Sequence, residues 1–275
     1  MRLLIHTHIY YLDLWGELAA CIDNFNGRKY DLWITTPIND VAFQKNVLSR
    51  FPSAHYCVLP NQGYDIWPFF YVLNNVQPKD YDYVVKMHTK RNVSGWLNYL
   101  PFWPSRWRRE LLSFCSSKSR LERVMHRFSQ CPEIGMIGGD AVIVERADVD
   151  YERNEIRRTA EKVVQNLGYR NFTRRFVAGT MFIARMVCFS PLRDVLRETD
   201  FQATKDDDNH VSGVAHVYER VLGYIVSATG FEISDVNGRF KRLEFTLGIR
   251  QYLLIRICKP LYRFFRRLAA LTVIS

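Results

Sequence analysis

The sequence predicts an α/β fold with a mostly parallel central sheet flanked by helices. From the start of the chain to about residue 90, short apolar runs of strand length alternate with segments that have helical periodicity. This alternation is typical of right-handed βαβ units, which build parallel sheets. The chain has 275 residues, of which 48% are hydrophobic, so it is long and apolar enough to bury a substantial core.

The first part of the chain is predicted to contain four strands, with a helix after each of the first three. The strands are rich in β-branched and aromatic residues, and the helices carry apolar residues at helical spacing. Asn26 and Gly27 end the first helix, and Asp40 is a suitable N-cap for the second. The predicted elements are strand Leu3–Tyr10, helix Leu14–Phe25, strand Tyr30–Thr36, helix Asp40–Arg50, strand His55–Pro60, helix Ile66–Asn75 and strand Tyr81–Met87.

The second part of the chain is predicted to be less regular. Gly179 lies inside an apolar run, which indicates that another group approaches the backbone closely there. The predicted elements are helix Ser119–Gln130, strand Ile134–Asp140, helix Tyr151–Leu167, strand Phe176–Arg185 and helix Val211–Ala228. The simplest organisation is one α/β domain over residues 1–238, followed by a separate tail over residues 239–275.

Positive charge is concentrated in this tail. Residues 239–275 contain nine Lys and Arg and one Glu, which amounts to +8 of the formal charge of +10. At about 100° per residue, a helix would place the basic residues opposite Phe and Leu. The residues concerned are Arg256, Lys259, Arg263, Phe264, Phe265, Arg266 and Arg267. The pattern predicts a helix in an anionic membrane interface, with a terminal helix packed on the domain as the alternative.

Cysteine usage and hydropathy predict a cytoplasmic protein. The six cysteines are scattered singly without zinc-like spacing, which is typical of a reducing compartment. His6, His8 and Asp13 interrupt the first apolar run, so we expect no signal peptide. No apolar run reaches the length of a transmembrane helix. With its basic tail, the protein is expected to be peripheral on the inner face of the cytoplasmic membrane.

Two polar loops follow consecutive predicted strands. The first runs from Asn61 to Phe69 and contains Gly63, which tolerates a positive φ angle, and Asp65 just before a helix. The second is Lys86-Met87-His88-Thr89-Lys90. Ligands of open parallel sheets bind outside the carboxyl ends of the strands, so both loops should face one crevice. Asp65 either caps the helix or holds a ligand hydroxyl, and Asn61 is equally ambiguous as a turn residue.

The basic and imidazole side chains of this crevice predict an anionic ligand such as a phosphate. Lys90 can neutralise a phosphate as a point charge, and His88 can donate a hydrogen bond to it. His6 and His8 alternate on the first strand, and we expect them to point in opposite directions, so that only one faces the crevice. The alternative for a buried histidine is a purely structural hydrogen bond.

The last predicted helix carries a polar group that is suited to acid–base chemistry. His216 has Glu219 as its i,i+3 neighbour and Arg220 as its i,i+4 neighbour. Glu219 is a candidate general base for an acceptor hydroxyl, provided that burial raises its pKa. The alternative is an ion network at the surface of the helix.

The chain contains, in this order, the segments HTHIYYLDL, YDLWITTP, NQGYDIWPF, YDYVVKMHTKR, GTMFIAR and AHVYERVLGYI. Together these segments resemble the rhamnan synthesis protein F family of bacterial glycosyltransferases and glycosyltransferase-like domains. The resemblance extends from about Leu3 to Ile233, and NxGxDIxPF with YDYVxKxHTK is its most specific part. Tyr64 stands where the family usually has Arg, so this position offers no guanidinium group.

The resemblance implies a Rossmann-like sheet of the GT-A type and a sugar transfer reaction. The sugar would be a hexose or deoxyhexose, with rhamnose as one candidate, and it would pass from a dTDP- or UDP-linked donor to a lipid-linked rhamnan, O-antigen or capsule chain. The implied donor-binding residues are His8, Asn61, Gly63, Asp65, His88, Thr89, Lys90 and Gly179. Glu219 is the implied general base and Asp65 its rival, with His216 and Arg220 as helix partners or acceptor contacts.

Most GT-A enzymes carry an Asp-x-Asp metal site where this chain has His88-Thr89-Lys90. Because no carboxylate is available there, we expect no metal ligands and no cofactor, and cationic side chains would neutralise the diphosphate. Binding of a divalent cation remains an open alternative.

Two other classes of function compete with the enzyme. One is a non-catalytic module with a degenerate transferase fold that binds a sugar or a lipid head group. The other is nucleic-acid binding by the basic tail, but no recognised binding module accompanies it. The expected partners are therefore a nucleotide sugar, a lipid-linked glycan and an anionic membrane surface, and no nucleic acid.

Overall fold

The computed structural model describes residues 1–91, 104–139, 142–144, 151–204 and 213–238, without side chains at 104–107, 151–154 and 202–204. Residues 1–237 pack as one compact unit. The predicted membrane residues Arg256 to Arg267 lie outside the described residues. No helix in the described ranges combines the length and the apolar character that crossing a bilayer requires.

The described residues form a mixed α/β fold with a mostly parallel sheet. The strands are β1 Arg2–His8, β2 Lys29–Thr36, β3 His55–Val58, β4 Tyr83–His88, β5 Ile134–Gly138, β6 Ile143–Val144, β7 Phe176–Val177, β8 Phe182–Arg185 and β9 Glu232–Ser234. The helices are α1 Trp15–Asp23, α2 Val41–Arg50, α3 Ile66–Asn75, α4 Pro104–Leu111, α5 Lys118–Gln130, α6 Tyr151–Asn166 and α7 Gly213–Ala228. Seven strands form the central sheet in the order β3-β2-β1-β4-β8-β5-β9, and β6 pairs with β7.

The first four strands are all parallel, as the alternating pattern predicts. From Leu3 to His8, every residue of β1 is buried, because helices and loops cover both faces of the sheet. The register pairs His8 of β1 with His88 of β4 on one side and with Thr35 of β2 on the other. The carboxyl ends of these strands therefore bring polar residues together at one edge of the sheet.

The second half of the sheet differs from the prediction. The single strand expected over Phe176–Arg185 is wrong, because it divides into β7, a turn, and β8. At the turn, Gly179 and Thr180 have positive φ angles of 75° and 50°, which a continuous strand cannot accommodate. β8 then runs antiparallel to both β4 and β5. The close approach predicted at Gly179 is confirmed, since a Cβ atom there would lie 2.7 Å from Leu111 Cδ2.

Candidate functional site

A cavity of about 440 Å³ opens at the carboxyl ends of β1 and β4. Its wall contains both polar loops that the sequence singles out, together with the turn between β7 and β8 and the first turns of α7. The residues that line it are His8, Tyr10, Tyr11, Asn61, Tyr64, Asp65, Ile66, His88, Thr89, Lys90, Arg91, Gly179, Thr180, Ala215, His216 and Glu219. The cavity has the size of a small-molecule site, and its mostly apolar lining carries a few polar groups, as such sites usually do.

A buried ion pair forms the floor of this cavity. Lys86 is fully buried, and its ammonium group pairs with Asp65 Oδ2. It also donates to the hydroxyl of Thr180 at 2.8 Å and to the carbonyl oxygen of Thr180 at 3.2 Å. The Thr180 hydroxyl in turn donates to Asp65 Oδ2. Three distant segments are thereby held together, namely the loop before α3, the strand β4 and the turn before β8.

The pair is ionised, although burial opposes the charge on each partner. Burial alone raises the pKa of Asp65, but the positive charges of His88 and Lys86 and the hydrogen bonds from Lys86 and Thr180 outweigh it, so the pKa is strongly lowered. Burial lowers the pKa of Lys86 below its usual 10.5, and the adjacent Asp65 carboxylate opposes that shift. Asp65 is consequently a poor proton acceptor at neutral pH.

The two alternatives for Asp65 are separated by this geometry. Asp65 occupies the N-cap position of α3, but its side chain makes no capping hydrogen bond. All of its described side-chain contacts involve Oδ2, and the side chain is 17% exposed toward the cavity that it lines. Oδ1 has no hydrogen bond or ion pair with the described residues.

His88 and Lys90 both line the cavity but differ in whether their polar atoms remain available to a ligand. His88 Nε2 lies 2.8 Å from the carbonyl oxygen of Gly179, and its Nδ1 lies 3.2 Å from that of Thr89. Burial, together with the charges of Lys86 and Lys90, lowers the pKa of His88. Lys90 is half-buried and has no hydrogen bond or ion pair with the residues that the structure describes. The free positive charge is thus that of Lys90.

A chain of two imidazoles and one hydroxyl lies behind the cavity wall. The Thr35 hydroxyl lies 2.8 Å from His6 Nε2 and 3.0 Å from His8 Nδ1. The expectation that the two histidines point in opposite directions is wrong, because strand residues two apart share a face. The expectation that only one faces the crevice is confirmed, since His8 lines the cavity whereas His6 is fully buried.

Glu219 reaches the cavity from α7 with both carboxylate oxygens engaged. Oε1 accepts a hydrogen bond of 2.9 Å from the amide of Gly179. Oε2 lies 3.3 Å from His216 Nδ1 and 3.7 Å from Arg220 Nη1. The expected rise in the pKa of Glu219 is wrong in its net direction. Burial raises the pKa, but the hydrogen bonds from His216 and Gly179 and the nearby positive charges lower it overall.

Most of the predicted site residues meet in this cavity, and two do not line it. Gly63 adopts the expected positive φ of 60°, but a Cβ atom there would meet the ring of Phe201 at 2.6 Å rather than a ligand. Arg220 contacts Glu219 and the carbonyl oxygen of His216 from behind the wall. Thr89 lines the cavity, and its hydroxyl accepts from the amides of Tyr10 and Tyr11.

Sequence reasoning placed Lys86 in the second polar loop but assigned no role in the site to Lys86 or to Thr180. Lys86 lies in a strand whose remaining residues are apolar or aromatic up to Met87, and a lysine at such a place requires a buried partner. That signal could have identified Lys86. Its partners could not be identified, because Thr180 is 94 residues away in the chain.

Comparisons with known proteins show a family match over most of this chain and two similar curated proteins. The profile of the family described as Rhamnan synthesis protein F matches residues 1–231. Two proteins of Xanthomonas campestris pv. campestris, one from each of two strains and both described as "Uncharacterized protein WxcX", are 26% identical over 261 residues. The alignments cover 88% of this chain and 33% of each relative, so the chain spans about a third of the length of these curated relatives.

Proposed function

The chain belongs to the rhamnan synthesis protein F family, and from this premise we propose that it is a glycosyltransferase. It would move a hexose or deoxyhexose, rhamnose among the candidates, from a nucleotide sugar to a lipid-linked bacterial polysaccharide. The observation that carries the proposal is the cavity at the strand ends, where one unpaired lysine, several imidazoles and a fixed carboxylate face the same space. The Rossmann-like arrangement of the sheet supports a donor site at this edge.

The distribution of charge supports an anionic donor. Lys90 supplies a positive charge that no described acidic residue neutralises, and Arg91 stands beside it in the wall. Arg91 is already paired with Asp13 at 2.7 Å, so Lys90 is the better candidate for the diphosphate. His8 can add a hydrogen bond from its free Nε2. His88 we assign to holding the Gly179 turn, because both of its nitrogens contact backbone carbonyl oxygens.

The fixed carboxylate supports recognition of a hydroxyl. Asp65 is oriented by Lys86 and Thr180 through one oxygen, which leaves Oδ1 to accept from a ribose or sugar hydroxyl. Asn61 and Tyr64 line the same side of the cavity and are exposed. A pre-oriented acceptor loses little entropy on binding, which favours a specific sugar or ribose contact.

Replacing Lys90 with alanine is expected to lower kcat/KM for sugar transfer about a hundredfold, as expected for loss of one group that stabilises the departing diphosphate. The assay supplies UDP- and dTDP-sugars with a lipid-linked primer and detects the product by intact mass. Lys79→Ala removes an exposed lysine outside the cavity and is the matched control. Equal rates for the two variants would contradict the assignment of Lys90.

The same nucleotide sugars test the role of a metal. Isothermal titration is run with and without a divalent cation, and we expect binding in both conditions because Lys90 replaces the cation. Binding that appears only with the cation would contradict the metal-independent proposal. Failure of every nucleotide and nucleotide sugar to bind would remove the transferase proposal itself.

Both cavity carboxylates are engaged by neighbouring groups, which favours a second candidate, a non-catalytic sugar-binding module. Such a module would bind the nucleotide sugar or the glycan but form no product with any acceptor. Product formation in the mass assay therefore decides between the two candidates.

The basic tail is proposed to hold the protein at an anionic membrane, where a lipid-linked acceptor is located. Deleting residues 239–275 should abolish co-flotation with vesicles that contain anionic phospholipid, and neutral vesicles serve as the control. Unchanged flotation of the truncated chain would show that the tail is not the membrane contact.

A further inference from the structure

The geometry of α7 raises the question of which group accepts the acceptor's proton. A general base needs a free lone pair that faces the substrate. Glu219 does not offer one readily, because Oε1 holds the Gly179 amide and Oε2 faces His216 and Arg220. Asp65 is held through Oδ2 by a buried lysine and a hydroxyl, and its Oδ1 is assigned above to a ribose or sugar hydroxyl rather than to the acceptor's proton. Both carboxylates are better suited to holding other groups in place than to accepting a proton.

His216 has a ring nitrogen, Nε2, that remains available to a substrate. It lies one turn before Glu219 on α7, lines the cavity, and has a side chain that is 41% exposed. Its Nδ1 faces Glu219 Oε2 at 3.3 Å. Its Nε2 forms no hydrogen bond or ion pair with the described residues. The imidazole thus has one nitrogen turned to a carboxylate and the other available to the cavity.

Glu219 determines which nitrogen of His216 carries the proton. An ionised carboxylate accepts hydrogen bonds only, so Nδ1 must donate, and in the neutral ring Nε2 then holds the lone pair. Arg220 lies 3.7 Å from the same carboxylate oxygen and donates to the His216 carbonyl oxygen at 2.8 Å, which favours the ionised carboxylate and fixes this turn of the helix. The Gly179 amide holds the other oxygen, so the carboxylate is fixed at both ends.

We infer that His216 is the general base of the proposed transfer reaction and that Glu219 is its positioning residue. The inference rests on the proposed function. His216 Nε2 takes the proton as the O–H bond of the acceptor hydroxyl breaks and that oxygen forms a bond to the anomeric carbon. The bond from the anomeric carbon to the nucleotide diphosphate breaks in the same step, and the negative charge leaves on the diphosphate toward Lys90. A direct displacement of this kind inverts the anomeric centre.

The test uses His216→Asn and Glu219→Gln in the full chain. We expect His216→Asn to lower kcat about 10² to 10⁴-fold, while calorimetric binding of the donor nucleotide sugar stays within about twofold. His126→Asn, an exposed histidine on α5, is the matched control and should keep the wild-type rate. Glu219→Gln should lower kcat while donor binding stays within about twofold, a separation that a general loss of structure would not give.

The outcomes separate this inference from the proposed function. Wild-type transfer together with a wild-type rate for His216→Asn would overturn the base assignment alone. Loss of donor binding in His216→Asn or in Glu219→Gln, or a product with a retained anomeric centre, would also overturn it. No transfer by the wild-type protein with any donor would overturn the proposed function, and the base assignment with it.

Discussion

Replacing Asp65 with alanine is expected to lower the free energy of unfolding by about 3 to 5 kcal/mol, the usual cost of breaking a buried ion pair by removing one partner. The reason is that the substitution leaves the buried ammonium group of Lys86 without a negatively charged partner. Its side chain is completely buried, and its remaining described partners are the hydroxyl and the carbonyl oxygen of Thr180, neither of which carries a negative charge.

An upper limit to this cost follows from the chemistry of lysine. A buried ammonium group without a counter-charge can release its proton, and at pH 7 this costs about 5 kcal/mol for a group with an ordinary pKa near 10.5. In the Asp65→Ala variant the folded state would then bind fewer protons than the unfolded state. The variant should therefore regain stability as the pH rises from 7 toward 10.

Urea unfolding at pH 7 and pH 9.5 measures both effects. Asp40→Ala, which removes a carboxylate that caps α2 through the Phe43 amide, is the matched control and should cost about 1 kcal/mol with no gain at high pH. The double variant Asp65→Ala/Lys86→Met removes both charges and should be more stable than Asp65→Ala alone. A loss of less than 1 kcal/mol in Asp65→Ala would contradict the ion pair.

This ion pair also shows how far the sequence predicts the site. The loops around Asp65 and His88 were expected at one crevice because consecutive parallel strands end at the same edge, and the structure places both in one cavity. Asp65 was ambiguous between cap and ligand contact, because both roles suit an acidic residue before a helix. Its actual partners, Lys86 and Thr180, come from 21 and 115 residues away, which local patterns do not report.

The fold shows the same division between local and distant causes. The helix α3 begins and ends at Ile66 and Asn75 as predicted, since its apolar periodicity and the turn before it are local signals. The break at Gly179 and Thr180 depends on the packing of Leu111 and on the contacts of Thr180 with Asp65 and Lys86. Apolar composition alone therefore favoured a continuous strand there.

The turn formed by Gly179 and Thr180 connects the two halves of the cavity. On one side Thr180 binds Lys86 and Asp65, and on the other the Gly179 amide binds Glu219, which faces His216. The carbonyl oxygen of Gly179 also contacts His88. The proposed donor side and the proposed acceptor side are thus attached to one strained turn. This arrangement explains why the two carboxylates are engaged while Lys90 and His216 Nε2 stay available.

Acidification from pH 7.5 to 5.5 is expected to destabilise the protein through its buried histidines. The pKa of His8 is lowered to about 3, chiefly by burial, with the charges of His88 and Lys86 adding to the shift and Asp65 opposing it. Burial also lowers the pKa of His6 and of His88. Each group has an ordinary value of 6.5, so below that pH the unfolded state binds more protons than the folded state. Stability is therefore present above pH 6.5 and is lost as the pH falls.

His8 alone should account for about 1.4 kcal/mol of lost stability at pH 5.5, one unit below its unfolded value, and His6 and His88 act in the same direction. The pKa of Asp65 in the unfolded chain is 3.8, so the ionisation of Asp65 affects stability at a lower pH than that of the histidines. Urea unfolding at pH 7.5, 6.5 and 5.5 measures the slope, with His8→Gln expected to flatten it and His126→Gln on exposed α5 as the control. If His8→Gln keeps the full wild-type slope, His8 is not held neutral in the folded protein. The hydrogen-bonded chain through Thr35 would then carry a proton at the edge of the cavity, and the proposed charge balance around Lys90 would have to include it.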